Sequence, residues 1–195
     1  MGHEVNEVNN IVRIKGSKVN LCLIRKDDEA IKLYTKWMAD ESINKYLGSQ
    51  RISINTLDGE KCWANRELSP YEFAFNIVDK GTDRLIGNCD INIERHRRNA
   101  TLGICIGEHD FHGKGYGTEV IKMLVRFAFE QLGMHNVRLQ LNSDNARAYK
   151  CYTKAGFVEC CREKEESWID NHWTDCITMQ ILESDYQNLK DQGVY

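Results

Sequence analysis

Long apolar runs are missing from this chain. Nowhere does it reach the roughly 18 consecutive apolar residues that a membrane-crossing helix needs. Its opening, MGHEVNEVNN, is polar and acidic, without the apolar stretch of a secretory leader. A large charge of either sign is also missing. The formal value is −3 at pH 7, too small for a general polyanion binder and compatible with a neutral or cationic partner. No repeat, linker or low-complexity segment divides the 195 residues. These absences predict a cytoplasmic protein that contacts neither nucleic acid nor membrane. They also predict one domain over 19–195, with a lead-in at 1–18 whose first 16 residues dock loosely.

Paired cysteine spacing is absent too. The chain has eight cysteines. Cys22, Cys62, Cys89, Cys105 and Cys176 are scattered, Cys160 and Cys161 are adjacent, and no CxxC occurs. That argues against a disulfide framework, a zinc site or a redox motif. Reduced thiols packed as small hydrophobes are expected instead.

What is present is ordinary globular composition, with apolar residues at 42% and charged residues at 28%. The pattern predicts a strand at 19–24 and a helix from Asp27 and Asp28 to Met38. Short helices are expected at 41–46 and 57–67, the second capped by Asn55 or Thr56. The single proline, Pro70, follows that helix at an expected break. Strands at 71–78, 85–93 and 102–106 have connections too short for a crossover, so they form an antiparallel meander. A strongly amphipathic helix at 117–132 buries Val120, Ile121, Leu124, Val125, Ala128 and Leu132 and ends at Gly133. A strand at 137–141, a helix at 145–155 closed by Gly156, a long hairpin around Asp170-Asn171 and a short last helix complete an α+β domain with a mixed sheet.

One stretch carries chemistry. From Ile104 to Thr118 the chain runs strand, glycine-rich turn, helix. Alternating Gly113, Gly115 and Gly117 allow a tight turn and close approach to a ligand. The helix start offers unpaired N–H groups and the positive end of its dipole, which suit a diphosphate, with Lys114 at the rim. Neither GxxxxGK[ST] nor GxGxxG is met, so a nucleotide or dinucleotide loop is not indicated. Further on, Asn145, Tyr149 and Tyr152 share a helical face that can line a groove. Capping by Asn145 and core packing by Tyr152 are the plain alternatives.

His112-Gly113-Lys114-Gly115-Tyr116-Gly117 resembles the [Q/R]xxGx[G/A] acetyl-CoA signature of the GNAT superfamily of N-acetyltransferases. Asn145 to Phe157 resembles its second landmark, Asn-xx-Ala-xxx-Tyr-x-Lys-x-Gly-Phe. One helix and one strand lie between them, as in that family, and the chain looks most like the RimJ/RimL-type branch. The resemblance implies a mostly antiparallel sheet splayed between its fourth and fifth strands and flanked by helices. It further implies acetyl-CoA as cosubstrate, no metal, and a primary amine as acceptor: a peptide N-terminus, polyamine, aminoglycoside or small amine. Relatives are often dimers. The pantetheine arm would lie along Ile104, Cys105 and Ile106, and a backbone N–H near Cys105 or Ile106 would steady the oxyanion. The diphosphate would sit on Gly113, Lys114, Gly115, Tyr116, Gly117 and Thr118. Asn145 and Tyr149 would face the cofactor, and Tyr152 would protonate the departing thiolate.

Two departures stand out. His112 replaces the usual glutamine or arginine, which implies weaker cofactor affinity. Thr101 stands where many relatives have a glutamate on the fourth strand, so the base is left open among Glu108, His109, Asp90 and a water chain. Arg95 to Arg98 reads as a solvated turn, and His109, Asp110 and His112 as loop residues rather than metal ligands. Tyr34, Trp37, Tyr46 and Trp63 are candidate acceptor walls. Trp168 and Trp173 flank the hairpin turn, as candidates for a dimer contact or acceptor wall. The competing function class is a non-catalytic acyl-CoA sensor.

Overall fold

The computed structural model describes residues 10–47 and 56–195, so Asn55 lies outside the described residues. Among the described residues, eight strands form one sheet in the order β1-β2-β3-β4-β5-β6-β8-β7. In chain order these are β1 (Val12–Lys15), β2 (Val19–Leu23), β3 (Glu72–Asp79), β4 (Leu85–Glu94), β5 (Asn99–Ile106), β6 (Asn136–Asn142), β7 (Val158–Ile169) and β8 (His172–Leu182). Neighbours pair antiparallel except β5 and β6, which run parallel.

The exception creates the site. β5 pairs with β6 only at Asn99↔Asn136, Ala100↔Val137 and Thr101↔Arg138. Beyond Thr101 the strands part, and the remainder of β5 keeps a partner on its β4 side only. Counted without β1, the divergence falls between fourth and fifth strands, as the family resemblance implies. The register also says which groups face the gap. Gly107 N–H donates to the Ile86 carbonyl at 2.9 Å. By strand alternation Cys105 therefore also directs its N–H to β4, while Ile104 and Ile106 direct theirs into the opening.

Helices cover both faces. α1 (Asp28–Ala39), α2 (Glu41–Asn44) and α3 (Leu57–Asn65) lie on one side. The Asp27 side chain caps α1 by accepting from Ala30 N–H at 3.1 Å, and Thr56 caps α3 through Gly59 N–H at 3.1 Å. Tyr34 and Trp37 are fully buried in the core beneath α1, with Cys22 and Cys105. On the other side α4 (Tyr116–Glu130) buries Val120, Ile121, Leu124 and Val125 against even-numbered β5 residues Ala100 and Leu102. α5 (Ala146–Lys154) crosses the opening, and α6 (Glu183–Asp191) closes the chain.

Some expectations need correction. Val12–Lys15 is not a loose lead-in: it pairs with β2 as an edge strand, a role its exposed side chains conceal from any periodicity count. Leu132 lies beyond the end of α4. Phe129 takes the last inward position instead, stacked on Tyr186 of α6 at 4.7 Å between ring centroids. The polar connection after β4 holds a short 3-10 turn at Arg95–Arg97, and β5 starts earlier, at Asn99.

Candidate functional site

The glycine-rich turn has the backbone that its composition predicts. Gly113 and Gly115 have φ of 72° and 86°, in the left-handed region where a side chain costs energy. Gly115 is the N-cap of α4 and offers no side-chain bond to the first turn. Among the described residues, the backbone N–H groups of Gly113 to Thr118 have no protein acceptor. The turn is tied from outside. Lys18 Nζ donates to the Lys114 carbonyl at 2.8 Å, and Glu119 accepts from Lys18 N–H at 2.7 Å. The Tyr116 hydroxyl donates to Asp79 at 3.0 Å. These tethers leave the inner side of the turn free.

That inner side opens on a cavity of about 510 Å³ between β5, α4 and α5. Of the predicted residues, Ile104, Ile106, His112, Gly113, Gly115, Tyr116, Gly117, Thr118, Asn145 and Tyr152 line it. Three do not. Cys105 points to the α1 side and lines a smaller cavity of about 180 Å³. Its thiol is pushed up to about 12 by burial, so it is inert as a nucleophile. Lys114 contributes its carbonyl to the Lys18 tether and lies outside the cavity lining. Tyr149 is 37% exposed and lines neither cavity. The helical turn of about 100° per residue sets it opposite Arg147 and Lys154, which with Lys150 belong to the cavity lining that sequence reasoning missed.

Asn145 both caps and lines. Its side-chain oxygen accepts from Ala148 N–H at 3.0 Å, and the residue borders both cavities. Tyr152 borders both as well. It is 8% exposed, its ring lies against Phe157, and its hydroxyl has no hydrogen-bond partner among the described residues. Burial raises its pKa further above the ordinary phenol value, so it stays protonated at neutral pH.

His112 spans the turn and β5. One ring nitrogen, Nε2, lies 2.7 Å from the Ile106 carbonyl, and the other, Nδ1, lies 2.7 Å from Arg147 Nη1. Arg147 can only donate, so Nδ1 accepts and Nε2 carries the hydrogen. Burial lowers the pKa of this imidazole, Arg147 adds to the effect, and the neutral form follows. The departure from glutamine or arginine is thus a polar strut, joined to α5 by a residue of the second motif.

The smaller cavity lies on the other side of the opening, walled by Ile43, Tyr46 and Leu47 near α2 and by Gly103 and Cys105 of β5. Of the aromatic residues expected there, only Tyr46 takes part. Tyr34 and Trp37 are core, and Trp63 packs edge-on against Tyr34. Trp168 and Trp173 form an exposed edge-to-face pair at the hairpin end, away from both cavities. Among the candidate bases, Glu108 is fully engaged: it accepts from Trp37 and Lys36 through one oxygen and from Arg84 through the other. His109 is held by Asp40 at 2.7 Å.

Comparison with known proteins agrees with this architecture. A family model described as "Acetyltransferase (GNAT) domain" matches residues 18–158. An N-acetyltransferase 9-like protein of Caenorhabditis briggsae is 26% identical over 64% of this chain and 67% of its own length. A spermidine N(1)-acetyltransferase of Vibrio cholerae is 32% identical over 57% of this chain, a match that spans only 65% of that relative. Among solved structures, the spermidine N-acetyltransferase of Vibrio cholerae, in complex with CoA and spermine, superposes with a TM-score of 0.77. It is 24% identical, over 88% of this chain and 99% of that one, a likeness that speaks for the fold. A Bacillus anthracis acetyltransferase (GNAT family) gives 0.74 at 17% identity, over 88% and 98%. With a splayed mixed sheet, a glycine-rich turn at the splay and a family match across most of its length, the chain belongs to the GNAT family of acetyltransferases.

Proposed function

We propose that this protein transfers an acetyl group from acetyl-CoA to a primary amine, as a member of the RimJ/RimL-like branch of its family. One observation carries the reading: the row of free N–H groups before α4 opens into the same cavity as the partnerless phenol of Tyr152. Amides at Gly113 to Thr118, with the α4 dipole behind them, suit a diphosphate. The gap-facing backbone of Ile104 and Ile106 suits an extended amide arm laid along the strand margin. Acetyl-CoA, when bound, supplies the thioester whose carbonyl carbon receives the amine and whose thiolate leaves.

The chain's own groups then divide the work. The Ile104 and Ile106 N–H groups stand ready to stabilise negative charge on the carbonyl oxygen. Tyr152 holds a proton for the thiolate, and its lack of other partners leaves it free to give that proton up. The smaller cavity, which shares Tyr152, Asn145 and Arg147 with the larger one, is the acceptor side. Polyamines enter as candidate acceptors because the named relatives include spermidine acetyltransferases. The test is thiol release from acetyl-CoA with a polyamine, a peptide N-terminus, an aminoglycoside and a simple amine. Turnover with at least one is expected. Tight coenzyme A binding with no release across all four would favour an acyl-CoA sensor.

A further inference from the structure

On the α1 side of the sheet β5 carries Thr101, Gly103 and Cys105. Position 103 has no side chain, and a carboxylate from the next strand fills its space. A Cβ at Gly103 would lie 2.5 Å from Asp90 Oδ2 and 3.0 Å from its Cγ. Asp90 and Gly103 face each other across the β4–β5 ladder. Gly103 is also part of the wall of the smaller cavity, with Tyr46 and Tyr152. Asp90 is not itself a lining residue of that cavity: its carboxylate lies directly behind the wall, in the space that a side chain at position 103 would take.

Its hydrogen bonding leaves it available. Asn92 donates to Oδ1 at 2.9 Å, and Oδ2 has no partner among the described residues. Glu108, by contrast, has both oxygens occupied. The charged groups facing Asp90 are Glu72 of β3 and Arg66 of the α3–β3 connection, which are paired with each other. The titratable neighbour on its own strand, Cys89, is a buried neutral thiol. Burial first, and Glu72 second, push the Asp90 carboxyl up to about 6. It is then mostly ionised at neutral pH and still able to take a proton.

Resting on the function proposed above, we propose that Asp90 is the base that deprotonates the acceptor amine, reaching it past Gly103. The ammonium R–NH3+ gives one proton to the Asp90 carboxylate, leaving R–NH2 and a neutral carboxyl. The nitrogen lone pair forms the C–N bond to the thioester carbon as the C–S bond breaks. The departing thiolate takes the Tyr152 proton, and the phenolate recovers one from the new amide nitrogen. Asp90 returns its proton to solvent.

The test is kcat/KM for the amine from pH 5 to 9 in wild type and Asp90→Asn, alongside acetyl-CoA affinity and thermal melting. Wild type should rise through about pH 6 and level off. Asp90→Asn should fall about 100-fold at pH 7 and climb with pH without levelling near 6, with unchanged acetyl-CoA affinity. A variant within threefold of wild type that keeps the limb overturns the proposal. If Asp90→Asn loses acetyl-CoA binding through misfolding, the wild-type profile and Asp90→Glu decide. A limb near 6 kept by Asp90→Glu at lower kcat supports the base. A wild-type profile flat from pH 5 to 7 overturns it. An inactive wild type sinks both readings, whereas an active wild type with an unimpaired Asp90→Asn sinks only this one.

Discussion

Replacing Tyr152 with phenylalanine removes one oxygen and isolates its role. The hydroxyl has no hydrogen-bond partner among the described residues, so no protein bond is lost with it. The ring keeps its place beside Phe157, at 6.2 Å between centroids, and the melting temperature should hold within about 2 °C. The proposed diphosphate site is the glycine-rich turn and not α5, so the acetyl-CoA Kd should stay within about twofold, which is some 0.4 kcal/mol. Turnover is different. General acid catalysis contributes roughly 10²–10⁴-fold, or about 2.7–5.4 kcal/mol of barrier. Burial raises the phenol pKa, which keeps the proton in place but makes the group a weaker acid toward a thiolate. The expected loss in kcat therefore lies at the lower end, about 100-fold. Thiol release followed with a chromogenic disulfide gives kcat, and calorimetric titration gives Kd. Parallel losses in kcat and affinity, or a kcat loss below about threefold, would refute the proposed role of Tyr152.

Three other changes probe the surroundings. Gly115→Ala places a side chain at φ 86°; it should cost about 1–2 kcal/mol of stability and weaken acetyl-CoA binding, both read from melts with and without cosubstrate. Asp27→Ala removes the α1 cap and should cost about 1 kcal/mol in urea unfolding, with acetyl-CoA affinity unaffected. Arg147→Ala should raise the His112 pKa, followed by NMR titration of the imidazole. In wild type that pKa lies below the unfolded value, so the native state binds fewer protons between the two. Stability therefore falls as pH drops through that window, and Arg147→Ala should flatten the slope.

The helices were legible because their periodicity is strong. α4 has a wide apolar stripe, and α5 begins at a capping asparagine and ends before a glycine at φ 92°. The strands β3 to β5 were legible from short polar turns. The opening between β5 and β6 was not, since nothing in Leu102 to Ile106 distinguishes a strand paired on both sides from one paired on a single side. It entered only through the family resemblance. Tyr149 is eligible by its helical spacing from Asn145 and Tyr152, which do line the cavity, but spacing cannot say that its own side chain is 37% exposed and lines neither cavity. Arg147 went unnoticed for the opposite reason: it sits within the recognised motif without being one of its fixed letters. Asp90 lies in a strand of alternating pattern, and its setting depends on a glycine thirteen positions further on in sequence and directly across the ladder.

The two margins of the sheet bear on behaviour at high concentration. β1 is only four residues long, and its register slips between Val12 and Ile14. β7 is twelve residues long, yet its register with β8 shifts twice, and Glu159, Arg162, Glu163, Lys164, Glu165 and Glu166 crowd its length. A strand from another molecule would meet a short, slipped ladder at β1 and an interrupted, charge-lined one at β7. Open-ended stacking of copies through their sheet edges is thereby discouraged, a safeguard that an eight-stranded open sheet requires.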